Sequence, residues 1–427
     1  MAALAVLAGC ANQQGQAEPA GDAVAELRAA AADPGVARFY AARGWRTAWS
    51  DESAAALDAA IGQAEQHGLD PAGLRPRIAA GASPAERDAA RTKAALAYAE
   101  ALARGRADPA RLHRPYTIPR PEPDLIAGLN GALDGGDPGA WLSGLAPQDD
   151  EYRLLSQAYV EARRRIAGAQ GAAPAALVAN ARTLAINLER RRWLERTPPA
   201  TRIDVNTGAA TLTYWRDGRV ADARRVVVGE PGNETPGLAS PLYRLVANPT
   251  WTVPRSIEEE EIVPKGEAYM ARNDMERRDG RIVQAPGPRN SLGLVKFDMQ
   301  NEHAIYLHDT PAKALFGQDE RHASHGCVRV QDALGFARLI ATHEGVLEEW
   351  ERARAKDDDE EEQYEEAFVA LPRPIPVRLL YYTAWIENGR VVIAPDPYGW
   401  DDEVARALGL PAGPRRAAQR RERDMGP

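Results

Sequence analysis

Two spacings of apolar residues divide the chain. Between residues 23 and 165, in a stretch rich in Ala, Arg and Leu, apolar positions recur every three or four residues, which predicts amphipathic helices. In "SDESAAALDAAIGQAEQHGLDP", Ser50 and Asp51 are capping candidates, and Ala56, Leu57, Ala60, Ile61 and Ala64 share one face. That helix is expected to stop at Gly68, with Pro71 beyond. "DAARTKAALAYAEALARGR" (88–106) and "DEYRLLSQAYVEARRRIAG" (150–168) repeat the pattern; 169–178 suits a linker, and 179–196 a further helix. Near residue 200 the period becomes two. "TRIDVNTGAATLTYWRDGRVADARRVVVGE" alternates apolar and polar residues around Asn206-Thr207-Gly208 and Asp217-Gly218, which predicts a β-meander. Further strands are expected at 243–254, 292–299 and 303–309, a helix at 331–345, and a hairpin at 377–396 turning at Asn388-Gly389. Residues 255–290 form a long, charged insertion between strands, a candidate lid.

Composition narrows the class. The 427 residues are 44% hydrophobic and 27% charged, with a net charge of −8, which suits a globular protein and disfavours a nucleic-acid surface. The acidic run at 355–368 lacks the Asp-x-Asp-x-Asp-Gly spacing of a calcium loop and is expected to be a solvated helix face. Cys10 and Cys327 are the two cysteines, 317 positions apart (327 − 10), and form no disulfide framework. Cys10 follows "LAG", a pattern similar to a bacterial lipobox, so lipidation of Cys10 is expected if an apolar leader is clipped before it.

Cys327 lies in "ASHGCVRV", and four of the seven histidines (His303, His308, His322 and His325) lie between residues 303 and 325. A cysteine is a nucleophile as thiolate, and a nearby histidine favours that form. Gly326 permits a tight turn, and the backbone N–H groups of Gly326 and Cys327 are candidates for an oxyanion site. Arg329 offers a fork for a carboxylate. His325 is expected to shape the turn and aid the oxyanion site, Ser324 to bond locally or touch substrate, and Tyr306 and Trp251 to line the cleft. His303 and His322 are expected at the surface. A zinc site of His308, His325 and Cys327 is a rival, but it lacks the spacing of known zinc motifs, so no metal and no cofactor are expected.

The segment "HDTPAKALFGQDERHASHGCVRV" resembles the signature of the L,D-transpeptidases, the YkuD-domain family. "VVVGEPGNETPG", "NPTWTVPRSI", "EIVPKG", "PGPRNSLGLVKF" and "YLHDTP" are similar to its large, scaffold-bearing subgroup, as are "RFYAARGWRTAW" and "HGLDP". The resemblance implies an α+β protein: a mainly β catalytic domain (200–345, lid 255–290) preceded by a helical scaffold (35–168) and a linker with connecting helix (169–199). An N-terminal signal (1–10) and tether (11–34) would precede these. An acidic helix (346–370), a hairpin and helix completing the scaffold (371–412) and a disordered tail (413–427) would follow. The peptidoglycan-binding module of larger relatives is not expected.

The same resemblance implies a cysteine acyltransferase. Cys327 would attack a peptidoglycan tetrapeptide stem and release D-Ala, with His308 as base, oriented by a backbone carbonyl just after it. The thioester would pass to an acceptor amine, giving a 3→3 cross-link; Asp309 joins the expected substrate contacts. The alternative is a carboxypeptidase or hydrolase of peptidoglycan or protein–peptidoglycan linkages using the same site. Covalent inhibition by carbapenems and a periplasmic location, with membrane contact only through a lipid on Cys10, are further expectations.

Overall fold

The computed structural model describes residues 21–355 and 364–413. Cys10, the signal, the tether up to residue 20, part of the acidic run and the tail beyond Gly413 lie outside the described residues. The rest of the expected tether is not an extended tether but contains the helix Gly21–Ala30, whose Leu27 is buried. The described chain divides into two compact units, one of residues up to 64, 70–102 and 123–146, the other of 65–69, 103–122 and 147 onward.

The first unit is helical. Ser50 caps the helix Asp51–Gly62 in a reciprocal capping box with Ser53. The helix ends at Gly62, before the expected Gly68, and a 3-10 turn (Ala64–His67) takes up the interval. Tyr40 donates to Asp88 at 2.6 Å, and Asp88 accepts the N–H groups of Ala48 and Trp49 at 2.9 and 3.0 Å, so one buried carboxylate fixes a loop against a helix.

The second unit holds fourteen strands among the described residues: β1 Arg202–Asn206, β2 Thr211–Arg216, β3 Arg219–Gly229, β4 Leu238–Ala247, β5 Trp251–Thr252, β6 Met275–Arg278, β7 Arg281–Gln284, β8 Val295–Met299, β9 Leu307–His308, β10 His322–Ser324, β11 Val328–Val330, β12 Ala367–Leu380, β13 Ala384–Glu387 and β14 Arg390–Ile393. The main sheet runs β10-β3-β11-β9-β8-β4-β12-β1-β2, and β2 pairs back onto β3. Its core packs Tyr214, Phe297, Leu307 and Val328 against Phe336, Ile340 and Trp350 of the helices Ala333–Glu344 and Leu347–Arg354.

Several boundaries differ from the expected ones. Of the strand placed at 303–309, only Leu307–His308 is extended with partners; the residues before it form an irregular loop. The strand placed at 243–254 divides between β4 and β5, with Asn248 at φ +48° marking the break. The acidic helix stops at Arg354, and residues 367–370 are already strand. Residues 377–380 end β12, and the hairpin at Asn388-Gly389 is the shorter β13–β14. Because β12 lies between β4 and β1, the catalytic sheet is not complete within 200–345, and this strand does not belong to the scaffold. Strand β12 contains Pro372, Pro374 and Pro376, which obscure it in sequence; the register shifts between Ala370 and Ile375, where two of them sit. Phe336 is fully buried, so Phe336→Ala should destabilise the β unit by ~3–5 kcal/mol, read as a lower unfolding midpoint in denaturant.

Candidate active site

The site is built across three neighbouring strands. Lys296 on β8 is opposite His308 on β9, and His308 is opposite Arg329 on β11. The adjoining row, Phe297, Leu307 and Val328, enters the core. Alternation therefore puts Lys296, His308 and Arg329 on the face away from that core, with Tyr306 and Cys327 two residues before His308 and Arg329. Tyr306 meets His308 edge to face, with ring centroids 5.8 Å apart.

Each catalytic candidate is held by a different device. His308 is fully buried, and its Nδ1 lies 2.5 Å from the Asp309 carbonyl, which fixes the ring and leaves Nε2 as its other face. The Asp309 carboxylate is itself tied down by the Leu294 N–H at 3.0 Å and by Lys313. It packs where a Cβ on Gly293 (φ +64°) would collide with it at 2.4–2.5 Å, so glycine is required there. Asp309, 3% exposed, thus anchors His308 and is not open to the cleft as a substrate contact would be.

The turn before Cys327 is closed from below. Ser324 donates to the Cys327 carbonyl at 2.6 Å and accepts the Gly326 N–H at 3.2 Å, while Gly326 adopts φ +114°. Thr235 donates to the Gly326 carbonyl at 2.8 Å and accepts the Gly229 N–H at 2.8 Å. Ser324 is fully buried, so it shapes the turn and does not reach substrate; the Gly326 N–H is committed to it and is not a free oxyanion donor. Arg329, 1% exposed, is a buried charge near the thiol and not an open carboxylate fork. His322 is also buried, against expectation: its Nε2 bonds the Thr207 carbonyl at 2.8 Å and its Nδ1 pairs with Glu320.

A cleft of about 460 Å³ opens over Cys327, lined by Trp251, Ile257, Lys296, His303, Tyr306 and His325 among others. His303 is exposed at its rim. Residues 255–290 are folded and not a bare loop. Trp251, Ile257, Ile262, Met270, Met275 and Ile282 make a small separate core beneath the sheet β5-β7-β6. Among the described residues no three His, Cys, Asp or Glu side chains gather as metal ligands.

The thiol is neutral at ordinary pH. Burial pushes Cys327 up to about 11, although a backbone bond to Tyr306, the Lys296 charge, the Tyr306 hydroxyl and the Arg329 charge all pull it down. Its Sγ donates to the Ala304 carbonyl at 3.6 Å. Burial thus opposes the thiolate form that a nearby histidine was expected to favour. Sequence reasoning missed Lys296, whose Nζ stands 4.5 Å over the Tyr306 ring and pairs with Asp298 at 2.9 Å. Its signal was a lone cation in an apolar strand, "LVKF". Alkylation of Cys327 by iodoacetamide should therefore keep accelerating with pH toward about 11, and Lys296→Met should slow it at any fixed pH below that. A plateau already reached below pH ~8, short of an ordinary thiol's range, would contradict this.

Residues 34–158 match the Scaffold domain, and residues 200–347 match the L,D-transpeptidase catalytic domain, YkuD. A Haemophilus influenzae protein named "Putative L,D-transpeptidase" is 34% identical over 226 residues, 47% of this chain and 45% of the relative. The match thus spans a little under half the length of that curated relative. An L,D-transpeptidase from Mycobacterium smegmatis has a TM-score of 0.25 at 13% identity, covering 42% of this chain and 58% of that one. The catalytic domain of the Enterococcus faecium L,D-transpeptidase, in a form acylated by ertapenem, has a TM-score of 0.22 at 17% identity, covering 32% of this chain and 85% of that one. Likenesses that slight carry no argument; the match over residues 200–347 contains both His308 and Cys327. The chain carries a YkuD-type L,D-transpeptidase catalytic domain over residues 200–347, together with a Scaffold domain over residues 34–158.

Proposed function

We propose that this chain is a peptidoglycan L,D-transpeptidase that forms 3→3 cross-links through a thioester on Cys327. The observation that carries the reading is the placement of Cys327 on the cleft floor, one strand from a histidine whose Nδ1 is anchored by a backbone carbonyl. With Nδ1 held, Nε2 is the atom assigned to take the Sγ proton as sulfur attacks the carbonyl of the third stem residue. The C–S bond forms, the bond to the terminal D-Ala breaks, and the proton returns to the leaving amine. The amine of a second stem then attacks the thioester, giving up a proton as the thiol is regenerated. The Cys327 N–H is the donor assigned to the developing oxyanion, since the Gly326 N–H serves Ser324. A neutral resting thiol suits this sequence, because the base acts at the moment of attack.

Water competes with the acceptor amine, and the folded insertion beside the cleft is the element assigned to exclude it. Such a substrate places the enzyme in the periplasm, and a lipid on Cys10 would tether it to the membrane. Incubation with a disaccharide-tetrapeptide, followed by mass spectrometry, tests the reading: loss of D-Ala with dimer formation is expected. Loss of D-Ala without dimer when acceptor is abundant would instead make the enzyme a carboxypeptidase.

Carbapenems are strained acyl donors and should leave one stable adduct on Cys327, absent in Cys327→Ala. His308→Ala should slow that acylation by ~10²–10⁴-fold. His322→Ala should leave the acylation rate near wild type and lower the unfolding midpoint, because the ring is buried. Intact-mass kinetics read the adducts, and acylation of His308→Ala at the wild-type rate would remove His308 from the mechanism.

A further inference from the structure

The insertion carries four consecutive glutamates, Glu258 to Glu261, which occupy different environments. Glu259 and Glu260 are exposed, whereas Glu258 and Glu261, three residues apart, are 5% and 8% exposed. They belong to a π-helical turn, Glu258–Ile262, a geometry frequent at functional sites. Glu258 serves the insertion itself: it accepts the Ile282 N–H at 2.8 Å and Arg281 Nε at 3.1 Å, fastening the turn to β7.

Glu261 reaches out of the insertion. Its Oε1 lies 2.6 Å from Nε2 of His325, two residues before Cys327. Among the described residues, neither Glu261 carboxylate oxygen makes a hydrogen bond to any other group. A carboxylate taken out of water is costly unless a cation or donor faces it, so this short contact is what makes the burial of Glu261 tolerable. His325 gains a fixed orientation in return. It lines the cleft beside the thiol, and Ser324 and Thr235 hold the backbone of the same turn.

We propose that Glu261 is a positioning residue for the Cys327 site. Docked on His325, it holds that ring as one wall of the cleft and makes the catalytic turn complete only when the insertion is seated. The contact stands on its own; its consequence for turnover rests on the transpeptidase reading.

Glu261→Gln tests this, because it removes the charge and keeps the shape, so a purely space-filling role would be unaffected. Hydrogen exchange over residues 258–272 and carbapenem acylation of Cys327 are measured in the full chain for wild type, Glu261→Gln, Glu261→Asp, His325→Gln and the double Gln variant. Exchange over 295–299 is read alongside to show that the β unit remains folded. Glu261→Gln is expected to exchange about tenfold faster over 258–272 and to acylate about tenfold more slowly. Glu261→Asp should recover part of both, and the double variant should be no worse than the worse single one. Wild-type behaviour in Glu261→Gln, or effects that multiply in the double variant, would overturn the proposal. If wild type itself is not acylated, the transpeptidase reading fails, while the exchange comparison still decides whether Glu261 and His325 act as a pair.

Discussion

Everything at the site depends on the register of three short strands. Phe297, Leu307 and Val328 must enter the core together, and alternation then delivers Lys296, His308 and Arg329 to the opposite face. A slip by one residue on β9 would bury His308 in the core and expose Leu307. The core therefore specifies the active site: the apolar row has one way to pack, and the polar row follows. Strands β3 and β4 flank these three on either side, so none of them is a free edge.

That placement has an electrostatic cost. Cys327 lies low enough in the cleft that burial outweighs two cations and a hydroxyl, and the sulfur keeps its proton. A protonated, buried thiol is protected from adventitious oxidants and becomes nucleophilic only with a base beside it. The structure fixes the histidine on the neighbouring strand through the carbonyl of the next residue, with Asp309 in turn held by Leu294 and Lys313. Rigidity at His308 is thus drawn from backbone and salt bridge together, and little of it depends on a flexible side chain.

The turn that carries the sulfur draws on distant parts of the chain. Thr235 ties it to the end of β3, and Tyr398, from the segment after the β13–β14 hairpin, donates to the Gly229 carbonyl at 2.8 Å. From the open side, Glu261 meets His325. Thr235 and Glu261, both far from the turn in sequence, thus hold it directly, and Tyr398 braces it through Gly229 and Thr235.

Much of this protein was legible without coordinates. The change of period near residue 200, the cap at Ser50, the Asn-Gly hairpin and the His–Cys cluster are local signals, set by spacing and by residue chemistry that neighbours in sequence do not alter. The sequence could not show that β12 joins the catalytic sheet, because its three prolines mask the strand pattern and its partners lie more than a hundred residues away. Nor could it separate Ser324, Asp309 and Arg329, which serve the turn, the anchoring of His308 and the local field, from residues that face the cleft. Residue type says which bonds a side chain is able to make; only packing decides which partner and how much water it meets. The thiol shows this most plainly. Its identity as the nucleophile candidate was readable from its neighbours in sequence, while its protonation state was decided by burial, a property of the whole fold.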